Sequence, residues 1–287
     1  MNLYATLDQL KTAINVTGST YDDILIESLR RAARLIDTLT GRQFYPTLAT
    51  RHFDGSGNSD LWLPEPLLTA TTVSLSSDLG VTYTALVANT DYWVSNGREY
   101  DKTPYQLLRI NPNGDYSVWY ANHRAVKIVD IFGYHTDYAQ AWPLSGDSVQ
   151  DSGGITAVAT SITVADGNGA DDQGVTPRFS CGNLLKIEDE FLQLASVSTN
   201  TLTVVRAVNG TTAATHAKDK LIYVWRPEPI VTQATLIQGA RWFKRGQQAY
   251  ADASASVELG QLIYARQLDP DIEGLLFAAG LRRLAVG

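Results

Sequence analysis

The 287-residue chain is poor in cysteine and methionine, with one of each. Cys181 alone excludes an intrachain disulfide framework. It fits a reducing compartment without requiring one. No apolar run is long enough to span a bilayer. The opening stretch MNLYATLDQLKTAI has no basic region before an apolar run, so no secretory signal is expected. The NVT and NGT sequons at Asn15 and Asn209 then carry little weight. Positive charge is also short: 23 Lys and Arg stand against 30 Asp and Glu, a net charge of −7. Such a surface does not hold DNA by counterion release. It can line a passage through which DNA slides without sticking.

A hydrophobic fraction of 44% is ordinary for a globular chain and supplies a sizeable core. The length suggests roughly two domains. Thr6 and Gln9 form a capping box for a short helix through Ile14. NVTGST breaks it, and Thr20 is placed to cap a longer helix over 21–40. There Leu25, Leu29, Ala32, Ile36 and Leu39 share one face, and Gly41 stands where a C-terminal cap is wanted. Glu27, Arg30, Arg34 and Asp37 occupy the other face. The arginines read either as a nucleic-acid site or as a self-paired solvated face, and the acidic balance favours the second.

Residues 46–150 read as an antiparallel β region, with short β-branched and aromatic runs such as TTVSLSS, YWVS, QLLRI and AVKIVDIFGY between turn residues. The loop PLSGDSVQDSGG then leads into residues 151–226, read as an inserted small β-domain that ends at Arg226-Pro227. Residues 155–226 are expected to fold alone. Helix returns after Pro227, and residues 1–45 and 227–287 together are expected to make a helical core. The fold class expected is therefore α+β, with a helical core carrying a β region and a β insertion.

The last two helices raise the question of partners. Ile230, Ala234, Leu236, Ile237, Ala240 and Phe243 share a broad apolar face; Val231 and Trp242 fall roughly 100–120° away. Asp269-Pro270 opens the final helix. Ile272, Leu275, Leu276 and Ala279 form one stripe, and Phe277, Leu281 and Leu284 a second. Two stripes mean full burial or contact with another chain. Val231, Trp242, Phe277, Leu281 and Leu284 are accordingly the candidate oligomer or partner interface.

Little points to catalysis. His52, His123, His135 and His216 show no metal-site spacing, and no CxxC, P-loop, GxGxxG or GxSxG occurs. No catalytic, cofactor or metal residue is assigned, and the chain is not expected to be an enzyme. DGNGADD at 166–172 has the flavour of a calcium loop, with Asp166, Asn168 and Asp171. It departs from the EF-hand pattern at Ala170 and Pro177. Tyr92, Trp93, Trp119 and Tyr120 could line a sugar groove, but at strand spacing they read more readily as sheet packing.

The order of features resembles the head–tail connector, or adaptor, proteins of tailed bacteriophages. The resemblance rests on LDQLKTAINVTGSTYDDILIESLRRAARLIDTLTGRQFYP, on RHFDGSGNSDLWLPEPLLTATTVSL, DYWV and RAVKIVDIFGYH, and on the closing LDPDIEGLLFAAGLRRLAVG. It covers residues 1–140 and 227–287. The stretch LLKIEDEFLQLASVSTNTLTVVRAVNGTTAATHAKDK looks like a small β module of phage structural proteins, in which Thr211 and His216 hold a loop by local hydrogen bonds. The resemblance implies a homo-oligomeric ring, a dodecamer, below the portal protein in the virion neck. The ring would join the portal to the next neck, stopper or tail protein and let double-stranded DNA pass. The chain would be made in the host cytoplasm. The inserted module would sit on the outside. Two other classes stay open: a tail or baseplate module recognising a host-surface glycan, and a hydrolase assembled from distant loops.

Overall fold

The computed structural model describes residues 2–247, 253–256, 261–264 and 268–281. The N-terminal helices form where the sequence signals them. Helix α1 (Leu7–Ile14) carries the full capping box: Gln9 N–H donates to Thr6 Oγ1 at 3.3 Å, and Thr6 N–H to Gln9 Oε1 at 2.9 Å. Helix α2 (Asp22–Thr40) ends on Gly41, whose φ of 63° is the left-handed conformation that glycine adopts freely. Its N-cap is Tyr21 rather than Thr20, with no side-chain cap; Asp22 and Asp23 in the first turn complement the helix dipole instead. Leu25, Leu29, Ala32 and Ile36 are fully buried. Each buried leucine or isoleucine contributes about 1.5–3 kcal/mol relative to exposure. On the opposite face Arg30 and Arg31 pair with Glu27 and Arg34 with Asp37, as the charge spacing suggests.

The expected α+β fold built on a helical core does not hold: the chain is mostly β. Strands β1 (Thr47–Phe53), β2 (Asp60–Leu67), β3 (Val73–Leu75), β4 (Thr84–Leu86), β5 (Tyr92–Ser95), β6 (Tyr105–Ile110) and β7 (Val126–Phe132) form one antiparallel sheet. Its order is β4-β3-β7-β2-β6-β5, with β1 also on β7. Strands β8 (Leu144–Ser148), β9 (Ser161–Thr163), β10 (Leu184–Ile187), β11 (Glu190–Ser198), β12 (Thr201–Val205) and β13 (Leu221–Val224) form a second, ordered β8-β13-β10-β11-β12-β9. Strands β14 (Ala253–Ser256) and β15 (Gln261–Tyr264) pair with each other. The physical reason for the β character is that each large sheet encloses its own core. Val73, Tyr92, Leu108, Trp119 and Ile128 cluster in the first; Ile162, Leu185, Leu192, Leu202 and Ile222 cluster in the second. Neither cluster draws on a helix.

The second sheet begins earlier than the sequence suggests. The Gly/Ser/Asp-rich stretch read as a linker contains β8, which pairs with β13 through Leu221↔Ser148 and Tyr223↔Leu144. The block is also docked on the rest of the chain. Leu184 and Phe191 of the second sheet pack with Leu68, just past β2, and with Ala141, Trp225 and the partly buried Ile131 of β7. Trp225 Nε1 donates to Phe44 O at 3.2 Å, Leu48 N to Asn209 O at 2.9 Å and Leu7 N to Cys181 O at 3.2 Å.

The helices form the smaller layer. Helix α3 (Pro229–Gln247) is sandwiched. On one side Val231 and Ala234 meet Tyr4, Ile36 and Phe44 together with Ile272 and Leu276 of α4 (Pro270–Ala278). On the other side Phe243 meets Leu10, Leu25 and Leu29.

Candidate interaction surface

Of the five residues expected at a subunit interface, the four that are described do not lie together. Val231 is fully buried inside its own chain, because α3 is covered on two sides rather than one. Leu281, at 4% exposure, is likewise part of that core. The second stripe of the final helix fails at Gly280. Helix α4 ends at Ala278, Gly280 takes φ 65°, Gly280 N–H donates to Phe277 O at 2.9 Å and Leu281 N–H to Leu276 O at 2.9 Å. This is a Schellman cap, and its usual apolar contact brings Leu281 back onto Leu276. Continuing the helical period past the glycine placed Leu281 on the wrong side. Leu284 lies outside the described residues. Phe277 is 62% exposed, and Trp242 is half-buried.

Trp242 lines an open, largely apolar groove of about 960 Å³ between α2 and α3. Tyr21, Ile24, Leu35, Trp242, Phe243 and Leu268 line it, and Asp23, Glu27, Arg31 and Arg245 stand at its edges. Tyr21 packs edge-on against Phe243 with ring centroids 5.5 Å apart. Ile24 is 56% exposed, a large aliphatic side chain left mostly in water by an otherwise well-filled helix. The sequence pattern puts Leu25 and Leu29 in the core but says nothing of Ile24 and Trp242 lining one groove. The two belong to helices that pack directly on each other but are separated along the chain by both sheets.

The histidines sit apart, each in its own setting. His216 is buried, with Nδ1 2.8 Å from Glu188 Oε2 and Nε2 2.9 Å from Glu190 Oε2. Arg206 grips Glu190 through Nε and Nη2, both at 2.7 Å, and donates through Nη1 to the carbonyls of Thr156 and Ala159. Ala207 and Ala214 N–H also donate to Glu190. Burial alone would raise the Glu190 pKa, but Arg206, these amides and His216 bring it down to about 2. Thr211 Oγ1 donates to Val208 O and accepts from Phe191 N–H. Both Thr211 and His216 therefore hold loops of the second sheet. His123 contacts Asp54, and His135 packs on Trp225, where burial lowers its pKa. Among the described residues no histidine ring is hydrogen-bonded to a serine, threonine or cysteine side chain.

The 166–172 loop is organised from within. Asp166 accepts from Asn168 and Gly169 N–H, and Asp171 from Gln173 and Val175 N–H. Arg178 stands between Asp147 and Asp166 at 3.6 Å from each, and Asp171 pairs with Arg226. Among the described residues no group of three or more His, Cys, Asp or Glu is arranged to hold a metal ion. Tyr92 and Trp119 are fully buried, with Trp119 Nε1 donating to Ser59 O at 2.9 Å, so these two rings pack the first sheet rather than line a groove.

No family model matches the chain, and no curated protein matches it. Among solved structures, a chain from the neck of an empty GTA particle, computed with C6 symmetry, aligns at 14% identity with a TM-score of 0.31. The alignment covers 46% of this chain and 65% of that one. A likeness of that size carries no argument about fold or role.

Proposed function

We propose that the chain is a structural virion protein of a tailed-phage neck, an adaptor that closes into a ring below the portal. It joins the capsid to the next neck or tail protein and lets double-stranded DNA pass without specific binding. It performs no catalysis. The observation that carries this reading is the apolar groove between α2 and α3, with Ile24 and Trp242 on its walls. A folded chain gains by covering such a surface, and the hydrophobic gain scales with the area removed from water. The order of the sequence features, resembling the connector family, supplies the kind of assembly. The pairing of Arg30, Arg31 and Arg34 with Glu27 and Asp37 supports a weakly interacting conduit, since it leaves no run of unpaired positive charge on α2. Single-particle electron microscopy of the purified protein mixed with its portal tests the reading. A closed ring seated on the portal is expected. A chain that stays monomeric and does not join the portal sinks it.

A further inference from the structure

The β3–β4 connection is a preformed apolar finger. Leu79 and Val81 are 63% and 80% exposed, yet the loop that carries them is tightly held. Ser76 Oγ donates to Asp78 Oδ1 at 2.6 Å and accepts from Gly80 N–H at 2.9 Å. Asp78 also accepts from Val81 N–H, from Thr82 N–H and from Thr82 Oγ1. At the base, Tyr83 donates to Arg124 O at 2.8 Å. Leu79 itself sits at φ 62°, in the left-handed region that a side chain with a Cβ disfavours. A glycine or asparagine there would be more stable. The loop thus keeps a strained leucine in water, which gives no benefit to an isolated monomer.

We infer that this finger seats in the α2–α3 groove of a second copy of the chain. The inference rests on the ring reading above and names its contact. Two unlike surfaces on one chain, an apolar projection and an apolar recess, make a heterologous interface, and such interfaces close into rings when the rotation allows. The finger lies on the first sheet and the groove in the helical layer, and the exposure of Leu79 and Val81 shows that the finger does not fill its own groove. Charge agrees. Exposed Arg124 stands at the base of the finger and exposed Asp23 at the groove edge; among the described residues neither has an ion-pair partner.

The test uses two full-length variants, Leu79→Asp with Val81→Asp in the finger, and Ile24→Asp in the groove. Each keeps one half of the contact. By native mass spectrometry each alone is expected to be monomeric, with association weakened roughly tenfold or more. An equimolar mixture is expected to give a one-to-one heterodimer, because one intact finger meets one intact groove. A third variant, Leu79→Gly, separates misfolding from lost contact: compared as monomers at high dilution it should melt at a higher temperature than the natural chain, yet it should associate less. If the natural chain is multimeric and the variants assemble as it does, or if the mixture stays monomeric, the finger–groove contact is wrong and the ring stands. If the natural chain is monomeric up to its solubility limit, both alone and with the portal, both are overturned.

Discussion

Glu190 and Arg206 form a buried bidentate ion pair, with both nitrogen–oxygen distances 2.7 Å, and the same guanidinium reaches two backbone carbonyls of the 156–159 turn. One carboxylate and one arginine thereby tie three segments of the second sheet together. Removing one partner leaves the other charge buried. Arg206→Met is expected to destabilise by about 3–5 kcal/mol. Thermal or urea unfolding checks this; a loss under about 1 kcal/mol would mean the pair is not desolvated as its burial indicates.

The same pair sets an acid limit. Glu190 is held at about 2 against an ordinary 4.5, so the unfolded chain binds the proton more readily. Its stabilisation is complete above about pH 4.5 and is lost as pH falls toward 2. Asp37 acts in the opposite sense. Burial raises it to about 6 from 3.8, only partly offset by the Tyr4 hydroxyl and Arg34. The folded chain therefore holds that proton more tightly, and stability falls as pH rises from about 4 through 6. Asp37→Asn is expected to remove that slope and to gain on the order of 1–2 kcal/mol at pH 7 after solvent screening. Melting curves of both proteins between pH 4 and 8 decide it; parallel curves would contradict it.

Leu281 belongs to the monomer. Leu281→Ala is expected to destabilise the chain by about 2–5 kcal/mol, because the side chain packs on Leu276 behind the Gly280 cap. A variant that keeps its unfolding free energy and loses only assembly would return Leu281 to the interface.

The second sheet needs β8. A fragment of residues 143–226 is expected to give dispersed amide resonances, whereas residues 155–226 lack the strand that pairs with β13 and should be poorly ordered. Equal spectra would show that β8 is dispensable.

A duplex-DNA titration at low and physiological salt tests the conduit reading. Weak binding is expected even at low salt. Tight binding with a salt slope of about 0.9 per phosphate contact, abolished by replacing Arg30, Arg31 and Arg34, would contradict it.

Local signals in the sequence were legible where the chain obeys them locally. The Thr6–Gln9 box, Gly41, the α2 core face and the Glu27–Arg30 and Arg34–Asp37 pairs each depend on residues within four positions of one another. What depends on distant partners was not legible. LSGDS has no β-branched residue and becomes a strand only because β13 supplies the ladder. Val231 looks peripheral on a helical wheel until α4 covers it. Gly280 did carry a local signal, a glycine followed by leucine, and it marks the helix end that the apolar period ran past. The groove and the finger are products of tertiary placement; the sequence shows only an isoleucine beside a core stripe and turn residues in SSDLGVT.

The central claim is self-assembly into a closed ring, and the native mass of the purified, unmodified chain tests it most directly. The account predicts one discrete species at an integer multiple of 31.4 kDa, twelvefold on the dodecamer reading, either alone or, once the portal is added, as that multiple plus the mass of the portal. A single species at 31.4 kDa under both conditions would contradict it.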